Sequence, residues 1–365
     1  MIIPDLNEYI TSLGGADYKG LIIPMFALAA MISRPFSGKL ADNIGRIPVM
    51  IVGVIVCFAI GFVYPLWQTL GGFLFLRFMH GFSAGFKPTG TAAYLADIVP
   101  VNKRGEAMGL LGMFGTLGMS VGPSVGPWIS STYDLQTLFH TSSVVAILSI
   151  LVIIGMKETV LDKKPMSLSL LKVGTKDFFE PRVFVPSFIM ILTAISFAAI
   201  LTVIPDFSDH LGLERESRGL FFTVFTIASV AIRFAAGKAS DKYGRANILK
   251  ISTLSIAIAM FLLGNVTTVN EFIGVAVLFG LAIGMNSPTI FAWTIDLADA
   301  KYRGRAMASM FIALEIGIII GGLLSGFLYD NNPDNFFIAF AGCGTFALLA
   351  FLYLIFLFPR YGSKE

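Results

Sequence analysis

Eleven long apolar runs leave this chain few ways to fold. They are Leu21–Ser37, Pro48–Trp67, Leu70–Ile98, Ala107–Ser130, Phe139–Met156, Val183–Ile204, Leu220–Ala236, Ile248–Val266, Phe272–Ala298, Ala306–Tyr329 and Phe336–Phe358. Each is about as long as the ~17–25 residues a helix needs to cross the hydrocarbon core of a bilayer. A membrane barrel would need strands of about 10 residues with strict alternation, and none of these runs alternates. Inside lipid every backbone donor must find its partner within the segment, so a helical bundle is what remains. Composition agrees: 56% of the 365 residues are apolar, 13% are charged and the mean hydropathy is +0.80. A soluble domain carries about twice that charge. The sequence therefore predicts an all-α integral membrane protein.

The same composition narrows the chemistry. The net charge of +3 is spread over short loops, so no nucleic-acid-binding face is expected. Cys57 and Cys343 both sit inside apolar runs, and there are three histidines, so neither a disulfide framework nor a metal centre is implied. No HExxH, Gly-x-Ser-x-Gly or Walker loop is present, which argues against an enzyme or an ATP-driven pump. No cofactor is expected.

Basic residues set an orientation. Arg34, Lys39, Arg46, Lys103, Arg104, Arg233, Lys238, Lys242, Arg245, Lys250, Lys301, Arg303, Arg305, Arg360 and Lys364 fall on one side, joined by six more in the stretch 157–182. Only Lys19, Arg215 and Arg218 fall on the other. The rich side is expected to be cytoplasmic, with the C-terminus inside. The stretch 157–182, with Pro165 and Pro181, reads as a cytoplasmic linker between residues 1–156 and 183–365. Its piece Leu168–Phe179 suits either an amphipathic segment on the membrane surface or a solvated connection.

A repeat at one offset organises the two halves. Arg34-x-x-x-Gly38-Lys39-x-x-Asp42-x-x-Gly45-Arg46 returns 199 residues later as Arg233-x-x-x-Gly237-Lys238-x-x-Asp241-x-x-Gly244-Arg245. Gly81, Gly85, Asp97, Arg104, Gly118 and Gly122 return as Gly280, Gly284, Asp296, Arg303, Gly317 and Gly321. Chance does not hold one register over so many glycines and charges. The doubled loop resembles the signature between the second and third helices of the major facilitator superfamily, and the resemblance covers essentially the whole chain. It implies two homologous six-helix bundles, a central cavity and alternating access.

Glycine lets that loop reverse sharply. Asp42, Arg46, Asp97 and Arg104 are then expected to form one charge cluster, and Asp241, Arg245, Asp296 and Arg303 its copy. The resemblance implies a latch that closes the cytoplasmic side; the alternative is a set of loop anchors that only fix topology. The run Gly109-x8-Gly118-x3-Gly122-Pro123-x2-Gly126-Pro127 is similar to a motif of the superfamily's antiporter branch, which has Gly where this chain has Pro127. A glycine stripe permits close helix contact and Pro123 removes a helix hydrogen bond, so Gly118, Gly122, Pro123 and Gly126 are read as a hinge. Plain helix packing is the competing account.

Charges at membrane depth are functional candidates. Arg77, His80 and Lys87 share one stripe of the run 70–98, and Glu315 lies near the middle of 306–329. The stripe reads as a basic cavity wall that meets an anionic or zwitterionic solute; Arg77 could instead pair with Asp5 or Glu8, and Lys87 could snorkel to the surface. Glu315 is either a proton carrier or a neutral tie between helices. Asn286 and Trp293, with Thr289, share a face of 272–298, and Thr193 and Ser196 share one of 183–204. These are read as cavity residues or interhelical glue.

Ile204-Pro205-Asp206-Phe207 ends the run 183–204, and Ile3-Pro4-Asp5-Leu6 opens the chain at nearly the same offset. The expectation is a twelve-helix fold of which eleven spans are present, with the first helix upstream of Met1. The function expected is proton-coupled efflux of a small organic molecule by a monomer of the cell (inner) membrane. Nutrient uptake by a symporter or facilitator is the alternative, and a non-transporting sensor built on the same bundle a third.

Overall fold

In the computed structural model the apolar runs wind into helices, and the breaks between them fall where the sequence supplies a conformational reason. The structure describes residues 1–2, 5–15, 18, 22–172, 174–213, 219–330 and 332–357. Lys19, Arg215, Arg218, Arg360 and Lys364, used above for orientation, lie outside them, as do Ile3 and Pro4.

The helices are α1 (Leu6–Ser12), α2 (Ile22–Ile44), α3 (Arg46–Val63), α4 (Leu70–Ile98), α5 (Arg104–Thr132), α6 (Leu135–Ile154), α7 (Thr175–Phe178), α8 (Phe184–His210), α9 (Leu220–Tyr243), α10 (Arg245–Leu263), α11 (Val269–Leu297), α12 (Arg303–Tyr329) and α13 (Phe336–Leu352). No strand occurs among the described residues. The repeat is visible in the boundaries: α4 and α11 both run for 29 residues and both begin and end 199 apart. α3 and α5 likewise start 199 residues before α10 and α12.

Two glycines make the sharpest stops. Gly45, at φ 122°, ends α2 and opens α3; Gly244, at φ 88°, does the same between α9 and α10. An L residue rarely adopts either conformation. The stripe Gly81 and Gly85 brings α4 against α2, and Gly280 and Gly284 bring α11 against α9. A Cβ added at Gly81 would stand 2.9 Å from Ala29 Cβ, and one at Gly280 would stand 2.9 Å from Ala228 Cβ.

Among the described residues, eight helical segments are long and apolar enough to cross a membrane: Arg46–Leu66, Leu135–Ile154, Pro181–His210, Leu220–Tyr243, Arg245–Leu263, Val269–Leu297, Ala300–Tyr329 and Pro333–Phe356. α2 and α4 are long enough, but α2 carries Arg34, Lys39 and Asp42, and α4 carries Arg77, Lys87 and Asp97.

Contacts divide the chain into two units. The first comprises residues 1–98, 117–181 and 298–312; the second comprises 99–116, 182–297 and 313–365. The first turns of α12 thus pack with the N-terminal helices, and those of α5 with the C-terminal ones. In the first unit Leu6, Tyr9, Ile10, Tyr64, Phe73 and Phe139 form one buried cluster, in which Tyr9 donates to the Tyr64 carbonyl at 2.8 Å. The second unit buries Phe207, Phe221, Phe272, Phe279, Phe336 and Phe340 together.

The stretch 157–182 clusters with the first unit. Leu170 is buried against Leu40, Val49 and Phe86, which anchors this part of the stretch to the first unit.

Candidate functional site

The doubled loop builds one charged cluster in each unit. In the first, the Asp42 carboxylate accepts the backbone N–H groups of Gly304 (2.6 Å) and Arg305 (2.9 Å). These are orphan donors at the start of α12, where the helix dipole also favours negative charge. Gly38 permits the approach: a Cβ there would stand 2.8 Å from Ala308 Cβ. Arg46, only 2% exposed, then bridges Asp42 (2.6 Å) and Asp97 (3.0 Å). Asp97 also accepts from Arg303 at 2.6 Å.

The second unit repeats the arrangement atom for atom. Asp241 accepts from the backbone of Gly105 (2.8 Å) and Glu106 (3.0 Å) at the start of α5. Arg245 bridges Asp241 (2.6 Å) and Asp296 (2.9 Å), and Arg104 reaches Asp296 at 2.9 Å. Gly237 lies against the backbone of Gly105 and Glu106.

The eight charged residues singled out in the sequence are therefore gathered, but two are exchanged. Arg104 was expected beside Asp97, its neighbour along the chain, and Arg303 beside Asp296. Instead Arg303 pairs with Asp97 and Arg104 with Asp296. The reason is the assignment of helix starts: residues 99–116 pack in the second unit and 298–312 in the first. Each cluster joins an acid from one sequence half to an arginine from the other.

Two residues were missed by the sequence reading. Glu158 caps α3, accepting the backbone N–H groups of Arg46 (3.0 Å) and Ile47 (3.1 Å). The Thr159 hydroxyl donates to Asp97 at 2.6 Å. The polar pair Glu-Thr, one residue past an apolar run, was the available signal.

The basic stripe of α4 is divided among different neighbours. Arg77, 3% exposed, donates to the Ile22 carbonyl at 3.0 Å and lies 4.4 Å from the Phe26 ring centroid. It has no carboxylate within 4.0 Å among the described residues. Asp5 instead accepts from Ser130 at 2.5 Å. His80 is buried between Tyr64 Oη and Cys57 Sγ, each 3.4 Å from a ring nitrogen. Lys87 alone is exposed, on a cavity of about 150 Å³ lined with Gly53, Cys57, Ser83 and Ser149. The stripe thus turns Arg77 toward α2 and His80 toward both α2 and α3, and only Lys87 faces open space.

In the second unit Asn286, 2% exposed, donates to Thr193 at 3.0 Å and accepts from Ser252 at 3.2 Å, tying α11 to α8 and α10. Ser196 donates to the Cys343 carbonyl at 3.0 Å. Trp293 is buried on α11 and Glu315 half-buried on α12.

α5 is one continuous helix through the glycine–proline run. Gly118 has nothing within 4 Å of an added Cβ, whereas Gly122 and Gly126 lie against the Met1 backbone. The side chain of Pro123 lies outside the described residues. The matching Gly317 and Gly321 of α12 sit on the α8 backbone, where added Cβ atoms would stand 2.6 Å from Ala194 Cβ and 2.7 Å from Ile195 Cα.

Comparison with known proteins fits this geometry. The chain is 26% identical over 352 residues to multidrug resistance protein 2 of Bacillus subtilis (94% of this chain, 87% of that one). It is 27% identical over 340 residues to the multi-drug resistance efflux pump PmrA of Streptococcus pneumoniae (88% and 83%). It is 26% identical over 326 residues to the staphylopine export protein of Staphylococcus aureus (85% and 80%). Among solved structures, the human organic anion transporter MFSD10 matches with a TM-score of 0.79 at 17% identity (95% of this chain, 88% of that one). The proton:xylose symporter XylE matches with a TM-score of 0.80 at 15% identity (97% and 90%). The family model described as Major Facilitator Superfamily matches residues 1–214 and 186–365. With that match across its whole length, the chain belongs to the major facilitator superfamily: it is a multi-pass membrane transporter and not an enzyme.

Proposed function

We propose that the chain exports a small organic molecule across a cell (inner) membrane in exchange for protons, as a monomer with its C-terminus in the cytoplasm. The observation that carries the transport mechanism is the pair of gates. Each joins an Asp–Arg–Asp chain and uses one aspartate to hold the first amides of a helix from the other sequence half. Such contacts are made or broken as a unit, which suits an all-or-none latch on the cytoplasmic side. A topology anchor would need its arginines but not acids that cap helix starts.

Direction rests on likeness. The Bacillus, Streptococcus and Staphylococcus relatives are named for drug resistance or export, and the glycine–proline run of α5 points the same way. In this reading α2, α4 and α5 complete eleven spans of a twelve-helix fold, and Gly118, Gly122, Pro123 and Gly126 act as the hinge of α5. Residues 1–156 and 183–365 are its two bundles, joined by 157–182. Lys87, exposed on its cavity, supports an anionic or zwitterionic solute. Glu315 and Trp293 are the side chains we assign to the transport pathway. Arg77, His80 and Asn286 have their polar groups engaged by neighbouring helices, which supports a positioning role.

Everted membrane vesicles test the proposal with ethidium as a first probe. Energised vesicles carrying the protein should accumulate the dye above a vector control, and an ionophore that collapses the proton gradient should release it. Accumulation that ignores the gradient would favour a facilitator, and the uptake reading predicts loss of dye instead.

A further inference from the structure

The two clusters differ, at the offset of 199, in a charged position on the helix start that the aspartate holds. In the second unit Lys238 Nζ lies 3.8 Å from Glu106 Oε1. The corresponding residues of the first unit are Lys39 and Arg305, both cations. Each gate places this second position directly after the glycine whose amide the aspartate holds. The first unit therefore carries a basic excess just where the second has an opposite-charge pair. Like charges a few ångströms apart repel by ~1 kcal/mol even in water-like surroundings, and by more where burial lowers the dielectric.

The linker supplies the compensating charge. Asp177 Oδ2 lies 2.8 Å from Lys39 Nζ, which also donates to the Lys172 carbonyl at 2.7 Å. Glu180, 3% exposed, accepts from Arg305 Nε at 2.9 Å, and a second guanidinium nitrogen, Nη2, contacts the same carboxylate oxygen. The Glu180 backbone N–H donates to Ser309 Oγ at 3.0 Å, and Ser309 donates to the Arg305 carbonyl at 2.9 Å. The Arg305 guanidinium also covers the Tyr302 ring at 4.3 Å. Leu170, buried among Leu40, Val49 and Phe86, anchors the linker to α2, α3 and α4. The linker thus grips both sides of the contact that Asp42 makes: α2 through Lys39 and Leu170, and α12 through Arg305 and Ser309.

We infer that Asp177 and Glu180 are gate residues of the first unit: the linker supplies in trans the negative charge that Glu106 supplies within the second gate. The inference rests on the gate reading given above and adds an asymmetry to it. The first gate opens only when the linker releases Arg305, and the second is independent of the linker. Asp177 and Glu180 act through Lys39 and Arg305, so they are positioning residues.

Amide hydrogen exchange on the purified full chain in lipid nanodiscs tests this without a transported substrate. D177N/E180Q is expected to raise exchange of residues 303–309 at least tenfold and to leave 103–109 within twofold of the parent. Adding R305E rebuilds the Lys–Glu pairing of the second unit, and 303–309 should return to within twofold of the parent. Unchanged exchange at 303–309 in D177N/E180Q overturns the inference. So does an equal rise in both peptides, which marks general loosening, and so does a triple variant no better protected than the double. Ethidium transport by Asp42→Asn reports on the gate reading by itself. If that variant transports normally while the exchange pattern holds, the strap stands and the latch function falls.

Discussion

Asp42 shows how much one carboxylate can be asked to do. It neutralises a buried arginine and takes two backbone amides of another helix. Asp42→Asn keeps the shape and removes the charge, leaving Arg46 with Asp97 alone. Breaking a buried pair from one side costs about 3–5 kcal/mol locally. We predict at least a tenfold loss of ethidium efflux, with the amount of protein in the membrane unchanged by immunoblot. Normal efflux would reduce the loop to an anchor. Asp177 allows a prediction about pH. Burial raises its carboxyl, but the Lys39 ammonium and the Gly174 N–H outweigh burial and hold it below the ordinary value of 3.8. A depressed carboxyl contributes stability above its unfolded value and loses it only as pH falls through the lower folded one. The Lys39–Asp177 link should therefore be intact from pH 5 to 8. Exchange at 303–309, corrected for the intrinsic pH dependence of amide exchange, should be flat across that window; a step inside it would contradict the assignment.

At the level of elements the informative result is the crossed pairing. Sequence alone showed that Asp42, Arg46, Asp97 and Arg104 recur together, because glycines and charges at a fixed offset survive as pattern. The reversals at Gly45 and Gly244 were legible too, since glycine suits the φ of 122° and 88° there, although α2 and α9 run seven residues past the apolar runs that end at Ser37 and Ala236. What the pattern does not carry is which copy of a repeated residue a side chain meets. Arg104 and Arg303 are equivalent by offset, so spacing cannot choose between Asp97 and Asp296; the first turns of α5 and α12 choose, by packing with the other half's helices. Charge exchange tests this directly. D97R should disable efflux, and adding R303D should recover a substantial share of it, at least a third. Adding R104D to D97R should recover nothing. The reverse pattern would restore the same-loop pairing. The α4 stripe shows a related limit. Arg77, His80 and Lys87 share one helix face, but α2 and α3 divide that face between them, so Arg77 finds a carbonyl and His80 a hydroxyl and a thiol. Periodicity locates a face and says nothing about how many neighbours it has.

For the whole molecule the question is how a proton gradient is spent on a solute. One proton crossing a potential of ~100 mV releases about 2.3 kcal/mol, enough to sustain a roughly 50-fold gradient of a neutral solute. The carrier must bind and release that proton within the membrane on each cycle. Glu315 is the acid the second unit offers near the middle of α12, a helix whose Gly317 and Gly321 hold it tightly to α8. α12 also begins at the gate, since Gly304 and Arg305 at its start are the groups that Asp42 holds. One continuous helix carries both the candidate carrier and the residues that Asp42 holds, so a change in charge at position 315 and release at position 304 act on the same element. Glu315→Gln is neutral at every pH. In everted vesicles it should abolish gradient-driven accumulation of ethidium, so that the internal and external free dye approach equality. Exchange of internal for external dye at equal concentrations should persist within about twofold, because the gates and the glycine contacts are untouched. Accumulation at the parent level by Glu315→Gln would remove it as the carrier and move the proton site elsewhere in the chain. Loss of exchange along with accumulation would instead assign Glu315 to solute binding or to the packing of α12.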